Sequence, residues 1–163
     1  MAITLYAGSK TKNLKKSVNE FVRGKLSGQA GYSVDWGQSG FKEEGLERWI
    51  QFRLIFSTGR FMRQVDDNGR RGEIRDVFLN FNLFERYPPR KNVYWVEAMR
   101  KVVFEYLYLK AIPINDFDTV DNPLVGEMRI MAITHDGEID GGRASGIRQW
   151  NMNLHGRILF KYL

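Results

Sequence analysis

The feature that most constrains the fold is the strictly alternating run VFLNFNLF at residues 77–84. Every second side chain in this run is apolar, and the positions between them hold Asn80 and Asn82, framed by Phe78 and Phe84. Because successive side chains of a strand point to opposite faces of a sheet, the pattern predicts a β-strand with one face in a core. The opposite face is unusual, because it carries amides between aromatic rings.

The same alternation recurs in RWIQFRLIF at residues 48–56 and in IRQWNMNLHGRILF at residues 147–160. The polar residues opposite the core on these three strands are Gln51, Arg53, Asn80, Asn82, Gln149, Asn151 and Asn153. Amides with scattered arginines are typical of wet subunit interfaces or of the wall of a polar channel, so we predict that this face contacts another chain. The alternative is an ordinary solvated sheet face.

Two segments have helical periodicity. Apolar residues between Leu14 and Leu26 recur at helical spacing, with Thr11 as the expected N-cap and Gly28 as the expected end. A second amphipathic helix is predicted at about residues 93–110, ended by Pro113. A further strand is expected to start near residue 125 and to run into a turn at residues 136–137.

Residues 47–86 are predicted to form a long hairpin, because DNGR at residues 67–70 is a turn signal between two strands. Its projecting tip, residues 57–75, is rich in arginine: Arg60, Arg63, Arg70, Arg71 and Arg75. Such a tip suits transient contact with DNA phosphates or with acidic side chains of a neighbouring subunit. A solvated loop is the alternative.

These elements predict one α+β domain spanning residues 1–163. The expected sheet is mostly antiparallel with about four strands, and two helices pack on one of its faces. Flexible acidic loops are expected at residues 113–123 and 134–146.

Charge is unevenly distributed along this chain of net charge +6 and pI near 9.6. Residues 8–28 hold six basic side chains and one acid, whereas residues 111–140 hold seven acids and one arginine. Opposite blocks of this kind suit copies that meet head to tail, although plain solvated surface is equally compatible. The proposed acidic partner patch is Asp116, Asp118, Asp121, Asp136, Glu138 and Asp140.

Motifs that carry catalysis or metal binding are missing from the sequence. There is no cysteine, and neither His135 nor His155 has metal-ligand spacing around it. HDGEIDGG at residues 135–142 lacks the spacing of a calcium loop, and no phosphate loop or nucleophile elbow is present. We therefore expect no enzyme activity, cofactor, metal or small-molecule substrate. No segment has the length of apolar sequence that spans a membrane, so no membrane partner is expected.

Five segments together resemble a known family: LKKSVNEFVRGKL, WIQFRLIF, VFLNFNLFER, VYWVEAMRKVVFEYLYL and IRQWNMNLHGRILF. In the order of their predicted helices and strands and in their amino-acid patterns, residues 10–163 resemble the tail terminator (tail completion) proteins of long-tailed bacteriophages. The resemblance implies a virion protein, assembled in the host cytoplasm as a hexameric ring. That ring would cap the tail tube and join it to the head connector, with DNA passing transiently through the lumen.

Two other interpretations of the sequence remain open. One is a monomeric, basic, nucleic-acid-binding accessory protein that uses the helix at residues 10–25 and the arginine-rich tip; its binding would weaken steeply with salt. The other is a small hydrolase, which would need a deep pocket holding a carboxylate of shifted pKa.

Overall fold

The structure is a computed structural model, and it describes residues 7–37, 39–57, 60–65, 71–86, 95–139 and 146–160; residues 60–65, 71–73 and 160 are described by their backbone. Two helices and seven strands lie in these ranges. They are β1 (Val34–Asp35), β2 (Arg48–Phe56), β3 (Arg60–Val65), β4 (Arg71–Arg86), β5 (Ala111–Asn115), β6 (Leu124–Ile139), β7 (Ile147–Phe160), α1 (Thr11–Arg23) and α2 (Trp95–Leu107).

The strands form one mixed sheet in the order β1-β2-β4-β7-β6-β5, which curls into a half-barrel. β1 is parallel to β2, and the other pairs along the path are antiparallel. The fold is thus α+β, but our prediction of about four mostly antiparallel strands is wrong. The extra strands escaped prediction for physical reasons. β1 is too short to show alternation, and β5 contains Pro113, which is tolerated because β5 is an edge strand.

The predicted pairing within residues 47–86 is present. β2 pairs with β4 from Arg48 opposite Glu85 to Phe56 opposite Val77, and β3 pairs with the first residues of β4. Residues 66–70, which include Arg70, lie outside the described residues. The predicted roles of the side chains of Arg60, Arg63 and Arg71 also lie outside what the structure describes, whereas Arg75 is half-buried on β4.

The ends of the helices differ from the prediction. α1 begins at Thr11, and Lys10 occupies the N-cap without a side-chain cap bond. The chain then continues through a π-helical turn, Gly24–Gln29, so Gly28 does not end the helix. α2 ends at Leu107, six residues before Pro113, and Leu109, two residues after the end of the helix, has a positive φ of 55°.

The predicted acidic loops are shorter than expected. Residues 113–115 belong to β5 and residues 134–139 belong to β6, so the predicted turn at residues 136–137 is wrong. Two register irregularities, between Ile130 and Ala132 and between Ile133 and His135, interrupt the alternation of β6. A bulged strand of this kind does not show a clean period of two, which is why its second half was interpreted as a turn. Residues 140–145 lie outside the described residues.

The core lies between the helices and one face of the sheet. β4 contributes four fully buried side chains, Val77, Leu79, Phe81 and Leu83, which pack in one cluster with apolar stripes of α1 and α2. Glu85, also fully buried, joins the sheet to α2: its carboxylate accepts the Val96 N–H and an Arg148 guanidinium N–H, both at 3.0 Å. The amide-bearing face of β2, β4 and β7 is turned away from this core.

No helix within the described residues is long and apolar enough to cross a bilayer.

Two isoleucines of β2 test the sidedness of the sheet. Ile50 is 0% exposed in the core, whereas Ile55 is 51% exposed on the opposite face. Ile50→Ala should lower the free energy of unfolding by about 2–5 kcal/mol, because it leaves a cavity, and Ile55→Ala by less than about 1 kcal/mol. Urea denaturation of both variants measures this, and equal losses would contradict the assigned faces.

Candidate functional site

The polar side chains of β2, β4 and β7 come together in two rows across the sheet. Register places Gln51, Asn82 and Asn151 side by side in one row, and Arg53, Asn80 and Asn153 in the next. The polar residues of three separate strands therefore lie on the same face and directly opposite one another. We call the set Gln51, Asn80, Asn82, Gln149, Asn151 and Asn153 the amide network.

Asn82 is the centre of the amide network. Its Nδ2 donates to Gln51 Oε1 at 3.0 Å and to Asn80 Oδ1 at 3.3 Å. Its Oδ1 accepts from Asn151 Nδ2 at 2.7 Å and from Gln149 Nε2 at 3.1 Å. Both donors and both lone pairs of this side chain are thus used, which is the full capacity of an amide.

The network continues to either side of Asn82. On one side, Asn80 Nδ2 donates to Asn153 Oδ1. On the other, Gln51 Nε2 donates to Asp35 Oδ2 at 3.1 Å, and Arg53 Nη2 donates to the same oxygen at 3.1 Å. Burial raises the pKa of the Asp35 carboxyl, but hydrogen bonds from the Gly37 N–H, Gln51 and Arg53 outweigh burial and lower it overall. The carboxylate therefore neutralises Arg53 on this face.

Two stacked aromatic pairs frame the network. Trp49 and Phe84 stack with ring centroids 5.0 Å apart, and Phe78 stacks on His155 at 5.3 Å. His155 Nε2 also lies 2.7 Å from Asp76 Oδ1, and this hydrogen bond is the main reason that the pKa of the Asp76 carboxyl is lowered. His155 thus has a structural role on this face. The rings that frame the amides are therefore stacked in two separate pairs.

These contacts change the basis of our interface prediction for this face. In the described part of the chain, every buried side-chain nitrogen and oxygen has a hydrogen-bond partner. Asn151 is buried, and Asn80, Asn82 and Asn153 are half-buried. The amides therefore satisfy one another within one chain and need no second chain for hydrogen bonding. Contact of this face with another subunit remains a prediction.

The acidic residues also find partners within the chain. Asp118 forms ion pairs with Lys10 and Lys12 at the start of α1, so the two opposite charge blocks meet intramolecularly. Asp136 accepts hydrogen bonds from Arg100 of α2 and from the Trp150 indole. These internal pairs weaken the argument that the blocks are reserved for a neighbouring copy.

The remaining members of the predicted acidic patch are spread over different places. Glu138 lies 3.4 Å from Arg148, and Asp116 is buried against Asn13. Asp121 is exposed in a turn, and Asp140 lies outside the described residues. The structure therefore does not bring these acids together as one patch.

Sequence reasoning missed an apolar surface at the β5 end of the sheet. Leu124, Val125 and Leu159 are exposed there, beside two adjoining hollows of about 390 and 430 Å³. The edge of β5 is itself protected from strand addition, since Pro113 has no N–H and the Asn115 N–H donates to Ser17 Oγ of α1 at 2.9 Å. The run Pro-Leu-Val at residues 123–125 was the only signal of this surface, and we interpreted its start as part of a loop.

Groups of acidic or histidine side chains that could hold a metal ion were not found among the described residues. No protein-family model and no curated protein sequence matches this chain. Two solved chains do match its fold. One of them, whose name carries no functional description, has a TM-score of 0.51 and 9% identity over 91% of this chain and 95% of its own. At this identity the likeness shows the fold alone.

An isosteric pair of substitutions tests the amide network. Asn82→Asp places acceptors against Gln51 Oε1 and Asn80 Oδ1, where Asn82 now donates, and should lower the free energy of unfolding by about 1–3 kcal/mol at pH 7. Asn153→Asp keeps the oxygen that accepts from Asn80, so it should cost less than about 1 kcal/mol. Urea denaturation compares them, and an equal effect of both variants would contradict the assigned directions.

Asp136 should make stability dependent on pH. Hydrogen bonds from Arg100 lower the pKa of this carboxyl against the opposing effect of burial. The folded state therefore binds fewer protons, so this stabilisation is present above the unfolded value of about 3.9 and is lost as pH falls through the lower folded value. Asp136→Asn should cost about 1–2 kcal/mol at pH 7 and flatten the loss of stability below about pH 4.

Urea midpoints at pH 7 and pH 3 measure the effect of Asp136→Asn. Asp121→Asn is the matched control, since Asp121 is exposed and its positive φ of 68° is one that asparagine adopts readily. An Asp136→Asn profile parallel to that of the unmodified protein would show that this ion pair does not contribute.

Proposed function

We propose that this protein is a non-catalytic virion subunit that forms a closed homo-oligomeric ring. By resemblance its role is that of a phage tail terminator: a hexameric ring that caps the tail tube and contacts the head connector, with DNA passing transiently through its lumen. The observation that carries the proposal is the exposed apolar surface at the β5 end of the sheet.

This apolar surface is a candidate partner site because its side chains are held on the strands β6 and β7. Leu124, 69% exposed at the start of β6, lines the hollow of about 390 Å³, and Val125 and Leu159 line the adjoining hollow of about 430 Å³. Grouped apolar side chains on a surface mark interaction sites more often than scattered ones do. The opposite end of the sheet, at β1, is formed by different residues, among them Val34, Asp35 and Trp36. A contact between unlike ends is heterologous, and repetition of a heterologous contact closes a ring when the rotation allows it.

The amide network suits the wall of a lumen through which DNA passes. Its amides are neutral, and two arginines on the same face are paired with acids: Arg53 with Asp35, and Arg157 with Asp76. Phosphate binding depends on unneutralised lysines and arginines, so this face would hold a DNA backbone weakly. A polar surface with weak phosphate affinity lets a polymer slide without arrest.

Light scattering tests the ring. We expect the purified protein, alone or with tail tube protein, to have a mass several times the 19.0 kDa of one chain. Leu124→Asp should reduce it to the monomer mass, because it places a charge in an apolar contact. Phe104→Asp is the control, since Phe104 is an exposed apolar residue on α2, away from this surface, and it should leave the mass unchanged. If the unmodified protein stays a monomer at high concentration, both alone and with tail tube protein, the proposal is contradicted.

The second candidate is a monomeric nucleic-acid-binding protein, which the net charge of +6 favours. Several cations of α1 already have partners in the chain: Lys10 and Lys12 pair with Asp118, and Lys16 lies over the Phe117 ring at 4.1 Å. If the protein is a monomer and binds duplex DNA with a steep dependence on salt, this candidate replaces the ring.

A further inference from the structure

The loop between β5 and β6, residues 116–123, is fastened to the start of α1. Asn13, fully buried, donates through Nδ2 to Asp116 Oδ1 at 2.9 Å, and its Oδ1 accepts the Phe117 N–H at 3.1 Å. Asp116 also accepts the Thr119 hydroxyl at 2.6 Å and the Asp118 N–H at 3.1 Å. We call residues 116–123 the β5–β6 loop. Its base is held by side-chain hydrogen bonds as well as by its backbone.

The apex of the β5–β6 loop presents an aliphatic side chain to solvent. The Asn122 N–H donates to Thr119 O at 3.2 Å, and Asp121 and Asn122 have positive φ angles of 68° and 44°. Aspartate and asparagine tolerate this conformation better than most residues, so the turn is well suited to its sequence. Val120, at the apex, is 85% exposed. An anchored turn therefore holds an apolar side chain in water, where contact with a partner would bury it.

A hollow of about 200 Å³ lies at the other end of the sheet. It is lined by Val34, Asp35, Trp36, Ser39, Gly40 and Phe41, and we call it the β1 hollow. Cavities of about 150 Å³ with apolar walls accept groups as large as a benzene ring, so the β1 hollow is large enough for an aliphatic side chain. The Asp35 carboxylate in its wall is already bonded to Gln51 and Arg53.

The β5–β6 loop and the β1 hollow lie at opposite ends of α1. Asn13, near the start of the helix, holds the loop, whereas Arg23, its last residue, lies over the Trp36 ring at 5.2 Å. Ten residues of helix correspond to about 15 Å. The two surfaces of one molecule are therefore separated, and each is available to a different neighbour.

We propose that Val120 of one copy of this chain inserts into the β1 hollow of the next copy. The partner is a second copy because the two surfaces carry opposite charges and the hollow is large enough for the side chain. The carboxylate of Asp121 adjoins Val120, and the Arg23 guanidinium stands beside Trp36 of the hollow. This inference rests on the proposed ring and names its contact.

Cysteine cross-linking tests this contact, and the chain has no cysteine of its own to interfere. Val120→Cys and Ser39→Cys each introduce a thiol at an exposed position, one in the loop and one in the wall of the hollow. The double variant, treated with a short bis-maleimide, should give a ladder of multiples of the single-chain mass on denaturing gels. Each single variant alone should stay at the mass of one chain, and a mixture of the two should give a cross-linked dimer.

Light scattering of the same samples separates failure of this contact from failure of the ring. If the double variant is an oligomer by light scattering but gives only a band at the mass of one chain on the gel, the Val120 contact is wrong. The proposed ring is then unaffected. Cross-linking of either single variant with itself would also overturn it, because like surfaces would then be meeting. A strict monomer would overturn the ring and this contact together.

Discussion

The register of β4 against β2 and β7 is the constraint on which the rest of this structure depends. It puts Leu79 beside Leu54 and Leu154 on the core face, and Asn82 beside Gln51 and Asn151 on the other. A slip of one residue would exchange these faces, exposing the apolar set and burying the amides against the helices. The two faces enforce one register, since hydrophobic burial selects it on one side and amide hydrogen bonding selects it on the other.

Among the described residues, many polar side chains find their partners within the same chain. The amides bond with one another, Asp35 and Asp76 neutralise arginines of the same face, and Asp118 holds the start of α1. Among the described residues, the apolar surfaces that we propose for a partner lie near the ends of the sheet, and Ile55 on the amide face is exposed as well. The association of copies that we propose would therefore depend mainly on apolar contact, with charge as a secondary contribution.

Much of the architecture could be predicted from the sequence, and the failures have physical causes. Periodicity identified β2, β4, β7, the buried stripe of α1 and the presence of α2, because each is long enough to repeat its pattern several times. It missed β1, β3 and β5, which are short, and the second half of β6, whose register irregularities break the alternation. The edge position of β5, which makes Pro113 acceptable, is a property of the sheet rather than of the segment.

Prediction of the candidate site from the sequence was limited in the same way, because side-chain contacts depend on how distant segments pack. Alternation placed Asn80, Asn82, Asn151 and Asn153 opposite the core, but which amide meets which depends on strand register. The pairing of Lys10 with Asp118 joins residues 108 positions apart, so their charges looked available for another chain. The exposure of Val120 could not be predicted from the sequence for a related reason. It depends on the hydrogen bonds that hold the β5–β6 loop.

Hydrogen exchange of side-chain amides, followed by NMR in dilute protein, tests the central claim most directly. If the amide network closes within one chain, the Asn82 Nδ2 hydrogens exchange far more slowly than those of an exposed asparagine such as Asn122. Slow exchange in the dilute protein is the result this account predicts. Exchange of Asn82 at the rate of Asn122, with protection appearing only when the chain associates, would show that these amides are reserved for a partner.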